Sequence, residues 1–185
     1  MRTFILDSLA STSKKLDLLR LRDFGMDVVC ASITNAVFYS GNKRDDVLMY
    51  VVLNKGQDAP KMLIVDSNYI KALGIDEVSI AKNIKDVLNG RKVEGISIKN
   101  RSFESLLREL PKDELFLLDK RGVNINTLKN LKNPIFIFGD AGGLPKKTAK
   151  FIVRMGAKKI NIGPKMLFSS QCVAIVNNEL DKLGI

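Results

Sequence analysis

Apolar residues fall along this chain in two alternating patterns. Short, nearly continuous apolar runs predict strands at Thr3–Leu6, Val47–Leu53, Met62–Val65, Gly95–Ile98, Leu115–Leu118, Ile135–Phe138 and Lys159–Ile162. Val47–Leu53 and Ile135–Phe138 are apolar throughout, as strands covered on both faces must be. Between the runs, apolar residues recur three and four apart and predict helices over Met26–Tyr39, Asp76–Asn89, Ser102–Glu109, Pro145–Met155 and Met166–Leu183. In the second helix Val78, Ala81, Ile84, Val87 and Leu88 share a stripe opposite Lys82 and Lys85. Ser102 is expected to cap its helix alone, because Ser105 rather than Glu or Gln stands three residues on. The polar, basic segment Ser11–Asp23 reads as a loop or a poorly packed arm. Strands alternating with helices predict an α/β fold, a mostly parallel sheet flanked by helices. With no internal repeat or linker, residues 1–185 are expected to form a single domain.

Composition narrows the chemistry. Apolar residues are 45% of 185 and charged residues 27%, enough for a core without staples. Aromatic residues are only 6% with no Trp, which argues against a base-stacking platform. There is no histidine, which removes Ser-His-Asp and Cys-His catalysis, His-ligated zinc and an imidazole proton shuttle. Cys30 and Cys172 stand far apart, so no disulfide scaffold, redox motif or metal site is expected. No apolar run approaches the ~18 residues of a membrane span and no signal-peptide pattern opens the chain, so a cytoplasmic protein is expected. Thirty basic against twenty acidic side chains give +10, divided as +3 over residues 1–100 and +7 over residues 101–185. Such a surface draws polyanions, RNA or DNA, although a Lys-rich face can equally be plain solvation.

Three loops are placed to carry chemistry, because ligands of open α/β sheets bind beyond strand carboxyl ends. In Phe136-Ile-Phe-Gly-Asp-Ala-Gly-Gly-Leu-Pro145 a buried strand runs into Gly139, Gly142 and Gly143, where backbone can approach a ligand. The spacing matches neither a dinucleotide fingerprint nor a P-loop, and an ordinary strand-to-helix turn would look the same. In the second loop a strand ends at Gly163, and Pro164 is expected to open an apolar helix that buries Leu167, Val173, Ala174 and Val176. Cys172 on that helix reads as a small apolar filler. The third loop, Ser40–Asp46, gathers Lys43, Arg44, Asp45 and Asp46, a set that could hold phosphate and a base edge or could be a solvated turn.

Taken together, these loops resemble the SPOUT superfamily of RNA methyltransferases. The nearer likeness is to the archaeal family that methylates N1 of pseudouridine in the tRNA T-loop. The resemblance runs from about Asp23 to Asp181, with residues 1–23 a divergent strand plus basic arm. It rests on Gly25-Met-Asp-Val-Val-Cys30, Ala36–Ser40 followed by Lys43-Arg-Asp45, and Asp76–Ala81. It continues through Arg101-Ser-Phe-Glu104 with Leu106-Leu107, Phe138-Gly-Asp140, Gly163-Pro164, and Cys172 with Asn178–Asp181. The resemblance implies a C-terminal deep trefoil knot, a homodimer, a tRNA substrate and S-adenosyl-L-methionine as methyl donor. It implies cofactor contacts at Leu118, Gly139, Ile162, Gly163, Pro164, Lys165, Met166, Leu167 and Cys172. Lys43 and Arg44 match a segment expected on the RNA side, and Asp45 is the candidate to hydrogen-bond the reacting base. Where the family carries Arg this chain has Met26 and Val78, and family histidines become Gly41, Ala141 and Gln171. Contacts made by backbone tolerate such replacements. A catalytically silent RNA-binding protein of the same fold, or an unrelated nucleotide-binding α/β protein, would share the charge and the pattern.

Overall fold

The computed structural model describes all residues except Ala72 and Ala141, so the altered family position at Ala141 lies outside the described residues. In chain order the first half comprises β1 (Arg2–Ser11), α1 (Met26–Val37), β2 (Phe38–Tyr39), β3 (Asn42–Lys43), β4 (Val47–Lys55), β5 (Lys61–Asp66) and α2 (Glu77–Leu88). The second half comprises β6 (Ile96–Lys99), α3 (Phe103–Glu109), β7 (Leu115–Asn124), β8 (Ile135–Gly139), α4 (Lys146–Arg154), β9 (Lys158–Asn161) and α5 (Ser169–Lys182). Seven strands form one sheet in the order β6-β5-β4-β1-β8-β7-β9. From β4 to β9 every neighbouring pair is parallel, while β5 runs antiparallel to both β4 and β6. The expected α/β class and mostly parallel sheet are therefore present, with the antiparallel pairs confined to one edge.

The strand alternation sorts the core into two layers. Phe4 and Leu6 of β1, Met49 and Val51 of β4, and Phe136 and Phe138 of β8 face α1, α2 and α5. Their neighbours Ile5, Val52, Ile135 and Ile137 face α3 and α4 through Leu106, Leu107 and Ile152. Phe136 lies between Phe4 (6.0 Å, tilted) and Phe116 (5.5 Å, stacked), so aromatic contacts cross three adjacent strands. Helix ends follow the sequence. Asp76 Oδ1 accepts from the Ser79 N–H at 2.9 Å, and Ser102 Oγ accepts from the Ser105 N–H at 3.2 Å, without a capping box.

Four expectations need correction. The first helix stops at Val37, because Ser40 (φ 31°) and Gly41 (φ 80°) make a tight turn that pairs Phe38 with Lys43. Pro164 does not open a helix: Gly163 sits at φ 143°, and α5 begins only at Ser169. On that helix Ala174 is exposed and on α2 Val78 is exposed, so the buried stripes are narrower than the periodicity suggested. Ser11–Asp23 is a loop but not poorly packed, since Thr12, Leu16 and Leu21 are buried beneath it.

The two ends of the chain are tied together at the amino edge of the sheet. Arg2, 3% exposed, donates from Nε to Asp46 (3.0 Å) and from Nη1 to Asn177 (3.0 Å) and Asp181 (2.8 Å). Its Nη2 donates to the Ile185 carbonyl. Arg44 forks onto both oxygens of Asp181 at 2.7 and 2.6 Å and lies over the Tyr39 ring. Removing one member of a buried charge network leaves the others uncompensated, so Arg2→Met is expected to lower stability in urea by about 3 kcal/mol. Partial burial pushes the Asp181 carboxyl up, but hydrogen bonds and charge from Arg44 and Arg2 outweigh it and hold the group below its ordinary 3.8. A carboxyl lowered by folding stabilises the fold above its unfolded pKa and loses that contribution as pH falls through its folded one. Asp181→Asn should therefore destabilise at pH 7, and its melting temperature should converge on the wild type's as the pH drops below about 3.8.

Candidate active site

Parallel pairing aligns the carboxyl ends of four strands: Asp7 of β1 lies opposite Gly139 of β8, Leu117 of β7 opposite Ile137, and Leu118 opposite Ile160 of β9. Beyond these ends the chain encloses a cavity of about 540 Å³, within the ~300–1,000 Å³ usual for small-molecule sites. Its walls come from three segments distant in sequence: the middle of β7, the turn from β8 into α4, and the passage from β9 to α5. Leu118, Gly139, Ile162, Gly163, Pro164, Lys165, Met166, Leu167 and Cys172, the nine positions expected to touch a cofactor, all line it. A shallower hollow beside Asp58–Lys61 and Asn100–Ser102 contains none of the predicted site residues.

Hydrogen bonds hold these segments together. Ser169 Oγ, at the start of α5, donates to the Gly139 carbonyl at 2.8 Å. Asp140 Oδ2 accepts from Ser8 Oγ (2.9 Å) and the Leu9 N–H (3.0 Å), which latches the turn after β8 to β1. The glycines do different work. A Cβ on Gly139 would come within 2.5 Å of Gly143 and Leu144 backbone, so the protein itself, rather than a ligand, fills the room there. A Cβ on Gly163 would meet nothing within 4 Å, leaving free space directly against the backbone.

The wall combines apolar surface with carboxylates and with the cations of Lys120, Arg121, Lys146 and Lys165, which suits a molecule that carries charges of both signs on an apolar framework. Leu117, Leu118, Phe138, Ile160 and Ile162 supply apolar surface, and Asp119 and Asp140 supply carboxylates. The Lys159 ammonium at 2.7 Å and the Arg121 N–H at 2.9 Å hold the Asp119 carboxyl below its usual range, so it is ionised at neutral pH. Burial pushes the Cys172 thiol up to about 11, which keeps it protonated and a poor nucleophile.

The remaining three predicted residues are elsewhere. Lys43 pairs with Asp45 and donates to the Ser67 carbonyl at 2.7 Å, and Arg44 is engaged by Asp181. Asp181 is nine residues beyond Cys172 on α5, about 14 Å along the helix, so a single chain does not bring Asp45 to the cavity. The cavity also uses residues that the sequence pattern did not single out: Asp119, Lys120 and Arg121 fall just past the strand expected to end at Leu118, and Ser169 falls inside the helix expected over Met166–Leu183. Among the described residues no group of acidic or cysteine side chains could hold a metal ion, and no helix is long and apolar enough to cross a membrane.

Comparison with known proteins fits this geometry. Residues 1–185 match the family described as "Putative SAM-dependent RNA methyltransferase". The chain belongs to that family. A Photobacterium profundum protein named "Putative pseudouridine methyltransferase" is 35% identical, the match covering 98% of each chain. An Alcanivorax borkumensis protein of the same name is 33% identical over the whole of both. Nep1 from Archaeoglobus fulgidus, solved bound to S-adenosylhomocysteine, superposes with a TM-score of 0.65 at 10% identity, covering 98% of this chain and 97% of that one. The sheet and its flanking helices are thus those of a methyltransferase fold, and the family's cofactor is S-adenosyl-L-methionine.

Gly139→Ala must displace backbone and is expected to cost about 1–3 kcal/mol in chemical denaturation. Gly142→Ala, on the same wall with nothing within 4 Å of the new methyl, should leave stability unchanged.

Proposed function

We propose that this methyltransferase transfers a methyl group from S-adenosyl-L-methionine to N1 of pseudouridine in the T-loop of tRNA. The observation that carries the reading is the convergence of nine expected cofactor positions, from three separated segments, on one cavity. The pseudouridine named in the full-length relatives supports the choice of base. The resemblance to the archaeal family supports the finer parts: a tRNA target, a homodimer, a deep trefoil knot toward the carboxyl terminus, and a cytoplasmic location.

Bound S-adenosyl-L-methionine supplies a methyl group already activated on a sulfonium. The chain's task is then placement, holding the attacking nitrogen ~3–3.5 Å from that carbon and in line with the breaking bond. Backbone of Gly139 and of Ile162–Leu167 would hold the cofactor, with Leu118 and Phe138 as apolar walls. Cys172, protonated, does not compete for the methyl group. The N1 proton has no imidazole to receive it. Asp119, stabilised as the anion by Lys159, is a weak base, which leaves water as acceptor. Lys43 and Arg44 direct their charges to Asp45, Ser67 and Asp181, and no reacting role is assigned to them or to Asp45. Lys146, Lys147, Lys150 and Lys165 offer a basic approach for RNA beside the cavity.

The test is methyl transfer from labelled cofactor to tRNA with and without pseudouridine, read by nucleoside mass spectrometry. N1-methylpseudouridine only in the pseudouridine-containing T-loop is the expected product. Methyl on uridine, on a ribose, or on no nucleoside would overturn the assignment.

A further inference from the structure

Strand β7 does not run straight past the cavity. Leu118 and Val123 both lie opposite Ile160, so the four residues between them leave the ladder as a bulge. The bulge is pinned at three points. Asp119 bonds Lys159 (2.7 Å) and the Arg121 N–H (2.9 Å), and Asn161 Nδ2 donates to the Gly122 carbonyl at 2.5 Å. Gly122 presses so closely on Ile160 that a Cβ would come within 2.3 Å of its nitrogen. What this rigid projection presents is Lys120 and Arg121, both exposed and both on the cavity rim. Lys120 is in no ion pair among the described residues, and Arg121 has only a 3.7 Å approach to Asp119, itself committed to Lys159. Two adjacent cations on a pinned bulge at a pocket mouth, with the one carboxylate near Arg121 already bonded to Lys159, suit an incoming anion.

The chemistry of the base says which anion. In pseudouridine the ring joins the sugar through C5, so N1 lies beyond C6 on the edge facing the nucleotide's own phosphate, not on the pairing edge. A base inserted with N1 toward the cofactor therefore brings its 5′-phosphate to the rim of the same cavity. We propose that Lys120 and Arg121 clamp the 5′-phosphate of the target nucleotide and so set N1, rather than the pairing edge, against the methyl donor. This inference rests on the reading of the protein as a pseudouridine N1-methyltransferase.

The experiment compares wild type with Lys120→Gln/Arg121→Gln, using a pseudouridine-containing T-loop RNA and the same RNA carrying a neutral methylphosphonate 5′ to the target. The double variant should raise the KM for normal RNA on the order of tenfold, and its salt slope should fall by about 0.7, the share of one neutralised single-strand phosphate. On the neutral linkage the two proteins should converge, the coupling expected of groups in contact. Affinity for S-adenosylhomocysteine should be unchanged by calorimetry. Lys120→Arg/Arg121→Lys, which keeps both charges, should restore the KM. Lys129→Gln/Lys132→Gln, an equal charge change ahead of β8, should leave it unaltered. An equal loss on both RNAs overturns the clamp, as does lost cofactor affinity with an unchanged KM for RNA, which would place the cations on the cofactor's carboxylate. Wild type that methylates no RNA overturns the underlying reading and the clamp with it.

Discussion

The parallel register between β1, β8, β7 and β9 is the constraint on which the site depends. Because these strands run the same way, their carboxyl ends reach one edge together, and three turns that are far apart in sequence emerge side by side. Residues at the edge can therefore be chosen for chemistry while those a few positions earlier, such as Phe136, Ile137 and Phe116, remain committed to the core. The cavity inherits its rigidity from the ladder. Ser169 on Gly139, and Ser8 and the Leu9 N–H on Asp140, then fix the turns to the sheet.

A protein without histidine has to perform a proton-releasing alkylation by arrangement. Here the ionisable groups around the cavity are separated in basicity by their surroundings: Asp119 is held as an anion by Lys159, while burial keeps Cys172 as a thiol. Neither setting offers a strong base or a stray nucleophile. That suits a donor whose leaving group is already neutral once the bond breaks, since little catalytic push is required beyond alignment.

Much of this was legible before any coordinates. Continuous apolar runs such as Val47–Leu53 and Ile135–Phe138 admit one environment, a strand covered on both faces, and that is what they have. The glycine-bearing turns were legible too, although Gly139 turned out to make room for its own loop rather than for a ligand. Two things were not. Met166–Phe168 is apolar enough to pass for helix, yet Met166 and Phe168 are exposed and lie between Gly163, at φ 143°, and the start of α5 at Ser169, an arrangement that composition does not encode. Equally hidden was the partner of Arg44, Asp181, which is 137 residues away. Local pattern reports burial and periodicity; it does not report which distant side chain closes an ion pair.

The network around Arg2 also bears on how the molecule comes into being. Its second residue is bonded to Asn177, Asp181 and the carbonyl of the final residue, Ile185. The strand that follows it waits for a neighbour at Ile135–Gly139 and for the part of α5 that carries Asn177 and Asp181. Until those segments arrive β1 keeps one edge unpaired and the Arg2 guanidinium unmet, so closure of the network waits on partners 175 and 179 residues away in sequence.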